Sequence, residues 1–322
     1  MKKLLALLLA ALMVLSMAAC GQDKKADDGK YTIGICQLLP HPALDQATEG
    51  FKAAVIEGLG EENVTFDQKD AAGEPANCST IVTGMVSAKV DLIMANATPA
   101  VAAAANATSK IPVLGTSVTE YGVALGIENF SGTVGTNVSG TSDLADLAAQ
   151  AQMVIDWCPN AKNIGLLYCS GEPNSKYQVE QVEAYLTEKG LTCKRFSFSD
   201  TSDLMAVVQA AADFSDAVYI PTDNTAANNA SAIDNILRPA KIPVIAGEAG
   251  IAKACGIATL SIDYYNLGYT TGQMAVRILK DGEDISKMKI ETDPNPQKLY
   301  NEAICAELGI TPLEGYAKLE TE

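Results

Sequence analysis

From Tyr31 onward the chain alternates short apolar runs with longer stretches whose apolar residues recur at helical spacing. TIGIC at 32–36, VTF at 64–66, DLIMA at 91–95 and PVLGT at 112–116 read as strands, with amphipathic segments between them. Strands that alternate with helices form βαβ units around a parallel sheet. The series then restarts at Asn163. IGIC at 33–36 matches IGLL at 164–167 at an offset of 131, and the same offset carries Pro42 onto Pro173 at the start of each first helix. DLIMANAT at 91–98 matches DAVYIPTD at 216–223 at an offset of 125, and IPVLGTS at 111–117 matches IPVIAGE at 242–248 at 131. Repetition of whole strand-helix series indicates an internal duplication. The predicted fold class is α/β, with two doubly wound parallel-sheet lobes.

The first thirty residues follow a different pattern. Lys2 and Lys3 precede the apolar run LLALLLAALMVL at 4–15, and the small residues Ala18 and Ala19 precede Cys20. That order is an export signal, and the run is shorter than the roughly 20 apolar residues of a spanning helix. The place of Cys20 resembles a bacterial lipobox, with Met17 where Leu is usual, so Cys20 is the expected lipidation site. Acyl chains, at about 0.8 kcal/mol per buried methylene, then hold the chain on a membrane. Residues 21–30, GQDKKADDGK, are polar and aperiodic and read as a tether.

Composition narrows the function. With 48% hydrophobic and 19% charged residues, the 322-residue chain has enough apolar surface to form substantial cores. Its 23 Lys and Arg stand against 39 Asp and Glu, a formal net charge of −16. Removing residues 1–19, with Lys2 and Lys3 but no acid, leaves 303 residues at −18. Such a surface repels phosphate backbones, so nucleic acid is excluded as a partner. No cofactor or metal is expected. Gly58-Leu59-Gly60 lacks the third glycine of a dinucleotide fingerprint, no P-loop occurs, and the chain has one histidine, His41. Eight cysteines less Cys20 leave an odd seven, with no Cys-x-x-Cys, which argues against a disulfide framework.

In open α/β sheets, ligands gather beyond the carboxyl ends of the strands. Two facing lobes would bring such loops together from both halves: 37–42, 96–99 and 116–121 in the first, and 169–175, 221–224, 247–250 and 261–264 in the second. The duplication makes their polarity comparable. Thr98 and Ser117 in the first half correspond to Asp223 and Glu248 in the second. Hydroxyls at a helix start suit an anion, and carboxylates suit a cation. A zwitterion between the lobes satisfies both, which points to an amino acid. Thr98 and Asp223 also read as ordinary helix caps, worth about 1 kcal/mol each. The candidate ligand-binding residues are Gln37, Leu38, Thr98, Ser117, Thr119, Ser170, Asn174, Ser175, Asp223, Asn224, Glu248, Asp263 and Tyr264. Tyr121, Tyr168 and Tyr264 are the aromatic residues of the cleft loops. His41 either borders the pocket or lies in a surface loop, and Trp157 is assigned to packing.

HPALDQATEGFKAAV at 41–55, VDLIMANATPAVAAAANAT at 90–108, IPVLGTSVTEYG at 111–122, SIDYYNLGYTTGQMAVRIL at 261–279 and LYNEAICAELGITP at 299–312 resemble segments of one family. It is the ABC-transporter substrate-binding family that includes tryptophan- and tyrosine-type binding lipoproteins, and the resemblance runs over nearly all of residues 31–316. It implies a type I periplasmic-binding-protein fold whose lobes, joined by a multi-strand hinge, clamp a small ligand. The ligand then passes to a membrane permease and its ATPase. An aromatic or other hydrophobic amino acid is the implied ligand. Where the family often has Asp-Pro after the Val-Thr of the fourth loop, this chain has Glu120-Tyr121, which bears on side-chain specificity.

The resulting expectation is a monomeric, non-enzymatic, extracytoplasmic lipoprotein, anchored to the cell membrane through Cys20. Residues 1–19 are the signal peptide and 20–30 the tether. Residues 31–141 with about 264–290 form lobe one, and 142–263 with about 291–322 form lobe two. The hinge crossings are expected near Thr141, near Asp263 and within 281–297. Three other readings compete. The solute is a nucleoside or a sugar; or Asp223 and Glu248 are a carboxylate pair in a cleft hydrolase; or the chain is a sensing ectodomain, which requires a second membrane segment that residues 21–322 lack.

Overall fold

The computed structural model describes residues Gly29–Glu320; the signal peptide, Cys20 and residues 21–28 of the tether lie outside the described residues. The elements of the first half are β1 (Tyr31–Gln37), α1 (Pro42–Leu59), β2 (Val64–Asp70), α2 (Pro75–Ala88), β3 (Leu92–Asn96), α3 (Thr98–Ala107), β4 (Val113–Val118), α4 (Tyr121–Leu125) and β5 (Val138–Ser142). The second half has α5 (Leu147–Trp157), β6 (Asn163–Cys169), α6 (Pro173–Glu188), β7 (Thr192–Phe198), α7 (Leu204–Phe214), β8 (Ala217–Ile220), α8 (Asn224–Asn228), α9 (Ala230–Leu237), β9 (Val244–Ala246), α10 (Ala249–Ala254) and β10 (Ala258–Ser261). Then follow α11 (Tyr264–Leu279), β11 (Glu291–Thr292), β12 (Gln297–Tyr300), α12 (Glu302–Leu308) and β13 (Ala317–Lys318). Pro42, Pro75 and Pro173 each open a helix, where a missing N–H and a fixed φ cost nothing.

Among the described residues, six strands form one sheet in the order β11-β5-β4-β3-β1-β2 and seven form a second in the order β13-β12-β10-β9-β8-β6-β7. Pairing is parallel throughout, except that β12 runs antiparallel to β10. The orders 5-4-3-1-2 and 10-9-8-6-7 match strand for strand, and the pairs β1/β6, β3/β8 and β4/β9 are those related by the sequence offsets. β1, β3 and β4 are buried on both faces, which is why they read as continuous apolar runs instead of alternating. Phe51, Val55, Met274 and Ala275 pack on one face of the first sheet, and Cys78, Val82, Met85 and Val101 on the other. The second sheet is covered in the same way, by Val154, Val179 and Val182 on one face and Val208, Ile233 and Ile251 on the other. Trp157 packs edge-on against Tyr316, with ring centroids 5.0 Å apart.

The chain passes between the sheets three times: at residues 143–146 after β5, at Ile262–Asp263 after β10, and at 293–296 after β11. β11 pairs with β5, so the first sheet keeps the chain as far as Thr292, two residues beyond the boundary expected near 290. Helix α11 begins directly after the second crossing and lies against α1 at backbone contact. A Cβ added at Gly268 would sit 1.9 Å from the Ala47 carbonyl oxygen, and one at Gly50 would sit 2.0 Å from that of Tyr265. Ala43, Ala47, Tyr264 and Leu267 make a small separate core at this crossing.

Candidate functional site

The loops beyond the carboxyl ends of the two sheets meet in a closed pocket with room at its centre for about one water molecule. The first half contributes His41, Leu44, Ser117 and Thr119. Asp143 enters from the first crossing and Tyr264 from the second. The other half supplies Asn174, Thr222, Asp223, Asn224, Ala227 and Glu248. His41 Nε2 lies 3.3 Å from Asn224 Oδ1, a contact between the halves.

Three buried polar atoms on this wall have no hydrogen-bond partner: Ser117 Oγ, Asp143 Oδ1 and Asn174 Oδ1. An unpaired buried polar atom costs about 1–3 kcal/mol, so three around one pocket mark a place where a polar guest completes the bonding. Ser117 sits at φ +54° beside an irregularity in the β4–β5 register. This left-handed backbone is unfavourable for a non-glycine residue and is found where surrounding structure imposes it, often at functional sites.

The two acids singled out by polarity each hold a helix end. Asp223 accepts from Cys169 N at 2.7 Å and from Ala226 N at 2.8 Å, tying the end of β6 to the start of α8. Glu248 accepts from Gly250 N at 2.6 Å and from Ile251 N at the start of α10. Capping and pocket lining thus coincide in one residue, because the helix N-termini point into the cleft. Glu172 organises the same rim: it accepts from the backbone N–H of Asn224 at 3.0 Å and of Thr225 at 2.8 Å, and from both their side chains. Gln150 supports Glu248 from beneath, donating to Gly247 O at 3.1 Å and Leu260 O at 3.1 Å and accepting from Tyr219 OH at 2.7 Å.

Of the candidates named from sequence, Ser117, Thr119, Asn174, Asp223, Asn224, Glu248 and Tyr264 line this pocket. Leu38 lines a separate groove of about 370 Å³ that also includes Pro99, Cys169 and Glu172. Gln37 is buried scaffold. Its Nε2 donates to Asp45 at 2.7 Å and its Oε1 accepts from Thr48 at 2.7 Å, which fixes the start of α1. Thr98 is the buried first residue of α3, and Ala97 occupies the cap position. Ser170 donates to Phe198 O at 3.1 Å on the far edge of β6. Ser175 is fully buried behind Asn174, from whose Nδ2 it accepts. Asp263 is exposed and caps α11. Tyr121 is buried against Phe130 and donates to Thr141 O at 3.1 Å, so it and Tyr168 are core residues outside the pocket. His41 borders the pocket. Asp143 and Glu172 were not among the candidates; the available signal for Asp143 was a carboxylate two residues beyond the expected hinge at Thr141.

Burial sets the electrostatics. It pushes the Asp143 carboxyl up to about 6, with the Thr119 and Tyr264 hydroxyls opposing and Glu248 assisting. Asp223 is pushed up to about 8, by burial first and by the nearby Glu172 second. Glu248 is also raised by burial, against the pull of His41. A buried carboxyl in a closed cleft binds either a proton or a cationic guest. Because the folded values lie above the ordinary ones, the folded protein holds more protons than the unfolded chain between about pH 4 and pH 8, and its stability falls as pH rises across that window. The melting temperature of the guest-free protein is therefore expected to decline from pH 5 to pH 8 by calorimetry. A melting temperature that rises over this range contradicts the assignment.

A family profile described as ABC transporter substrate binding protein matches residues 32–321. The tyrosine-binding protein of Clostridioides difficile strain R20291 is 33% identical over 314 residues, which is 94% of this chain and 90% of that relative. The ABC domain in complex with L-Trp from Streptococcus pneumoniae is 30% identical, covers 90% of this chain and 99% of its own, and superposes with a TM-score of 0.85. The ligand-free, open structure of a substrate-binding protein with adhesive properties from Clostridium difficile is 35% identical over 91% of this chain and 100% of its own, with a TM-score of 0.69. The structural score thus runs opposite to the identity, and the better match is to the ligand complex, in keeping with the closed pocket.

Proposed function

The chain belongs to the family of ABC transporter substrate-binding proteins, and from that premise we propose that it captures an aromatic or other hydrophobic amino acid between its lobes for a membrane permease and its ATPase. The fold is that of type I periplasmic binding proteins. One observation carries the choice of a zwitterion: an unpartnered donor on the first half faces the same small pocket as unpartnered acceptors on the first crossing and the second half. The Ser117 hydroxyl serves the ligand carboxylate. The ammonium belongs on the wall where Asn174 and the buried carboxyls of Asp143, Asp223 and Glu248 gather. The aromatic preference is supported by the two relatives named for tyrosine and L-Trp.

The pocket in its closed form is too small for an amino acid to enter, so the lobes open to admit ligand and ligand contacts to both lobes favour reclosure. The lobes comprise residues 31–142 with about 264–292, and 143–263 with about 293–320. Extracytoplasmic placement, the signal peptide and the lipid anchor at Cys20 belong to the same reading, supported by the basic, apolar and small-residue order of residues 1–20, and a monomeric state completes it.

A thermal-shift screen of the chain from residue 21 against amino acids, nucleosides and sugars tests it. At a hundred times its dissociation constant the cognate ligand adds about 2.7 kcal/mol, a rise of roughly 4–5 °C at this size. L-tyrosine or L-tryptophan is expected to give that rise. A nucleoside or sugar giving it while every amino acid is silent overturns the proposal.

A further inference from the structure

We propose that Asp143 is the carboxylate that receives the ligand ammonium, and that through Tyr264 it makes lobe closure depend on an ammonium being present. The inference rests on the amino-acid reading above and goes further by naming the sensing residue and its link to the hinge.

The acids facing the pocket differ in what already occupies their oxygens. Both oxygens of Asp223 and both of Glu248 accept backbone N–H groups from the loops and helices they cap. Asp143 is different: Oδ2 accepts the Tyr264 hydroxyl at 3.0 Å, and Oδ1 is buried without a hydrogen-bond partner, although the Thr119 hydroxyl acts on the same carboxylate. An ammonium carries three N–H donors and accepts nothing, so it seeks acceptors that lack donors. Asp143 Oδ1, Asn174 Oδ1 and the Ser117 hydroxyl oxygen are such atoms of this pocket among the described residues, and only the first bears a charge when ionised.

Position gives Asp143 its second role. It is the first residue after β5 and opens the first crossing, while Tyr264 is the first residue of α11 after the second. One hydrogen bond therefore joins two of the three connections about which the lobes turn. Both ends are held. Asp143 N donates to Val118 O at 3.2 Å, and the preceding Ser142 hydroxyl donates to Thr119 O at 2.7 Å, beside Ser117. Tyr264 is packed into the crossing core with Ala43, Ala47 and Leu267. An ammonium on Oδ1 offsets the cost of burying the Asp143 charge, so the closed cleft, in which the Tyr264 bond on Oδ2 holds the two crossings together, is favoured. A ligand without an ammonium leaves that buried charge unpaired, which opposes closure, and the crossings are free to separate.

The test uses the mature chain, with L-tryptophan and its des-amino analogue indole-3-propionate as probes. Calorimetry gives affinity, and small-angle scattering gives the radius of gyration with and without ligand. Wild type is expected to bind L-tryptophan at least thirtyfold more tightly than the analogue and to contract with the amino acid alone. Asp143→Asn, nearly isosteric, is expected to lose thirtyfold or more toward L-tryptophan while changing less than threefold toward the analogue. Tyr264→Phe keeps the Asp143 carboxylate, so affinity falls no more than about fivefold, but the contraction at saturating ligand is lost or halved. Asp143→Asn binding L-tryptophan within threefold of wild type overturns the ammonium assignment. Full contraction of Tyr264→Phe overturns the coupling, and that arm stands even if Asp143→Asn fails to fold. Wild type that binds neither L-tryptophan nor L-tyrosine is a distinct result, which removes the amino-acid reading itself.

Discussion

Gly268→Val is expected to destabilise the protein by about 3 kcal/mol or more, lowering the melting temperature by roughly 5 °C or more. Helix propensity alone forecasts the opposite, because glycine inside a helix costs about 1 kcal/mol relative to alanine. Packing decides the sign. A Cβ at Gly268 meets the Ala47 carbonyl oxygen at 1.9 Å, and that atom belongs to the backbone of α1, so nothing short of moving one helix relieves the clash. Gly50 and Gly272 line the same seam, where an added Cβ would lie 2.0 Å from Tyr265 O and 2.5 Å from Phe51 O respectively. Gly84 provides the control. It lies in the exposed face of α2 with nothing within 4 Å of its added Cβ, so Gly84→Ala is expected to stabilise by about 1 kcal/mol. Chemical denaturation of both variants measures the contrast, and a neutral Gly268→Val would show that α11 slides freely on α1.

Asp223→Ala is expected to weaken amino-acid binding thirtyfold or more, about 2 kcal/mol, while lowering stability by less than that at neutral pH. The affinity loss follows from removing a buried carboxylate near the ligand ammonium and from loosening the junction of β6 and α8 that it holds. The smaller stability loss is a balance. Alanine at this cap costs about 1 kcal/mol and strands the Cys169 and Ala226 N–H groups. Against that, it removes a carboxyl whose burial, together with the nearby Glu172, disfavours its charge. Because the wild-type carboxyl is pushed up to about 8, its contribution to stability fades as pH rises toward 8. The variant is therefore closest to wild type in alkaline solution and furthest from it near pH 5. Melting curves at both pH values and ligand titration at neutral pH check the two halves separately. Unchanged affinity would reduce Asp223 to a helix cap.

Much of the architecture was legible in the chain. Runs such as IGIC and IGLL mark strands buried on both faces, since parallel sheets covered by helices on each side need uninterrupted apolar residues. Their offset of 131 announced a repeated strand order, and the two sheets have it. The loops that meet in the cleft were legible for the same reason, because the carboxyl ends of parallel strands lie on one side. Individual residues within those loops were less so. Gln37 and Thr98 occupy cleft-side positions, yet Gln37 turns inward to Asp45 and Thr48, and Thr98 is buried under its own helix. A loop position fixes where the backbone is, whereas the direction of a side chain depends on which neighbours the fold brings against it.

By itself the sequence determined the βαβ succession, the duplication, the acidic exterior and the polarity difference between the halves, all of which follow from local pattern and composition. Only the tertiary structure decided which polar atoms remain without partners. Asp223 and Glu248, prominent in the alignment of the halves, have their oxygens engaged by backbone N–H groups, while Asp143, inconspicuous in a connecting segment, keeps one free. Hydrogen-bond satisfaction is a property of the closed assembly of loops, because a donor or acceptor is spare only after every nearby segment has taken its place.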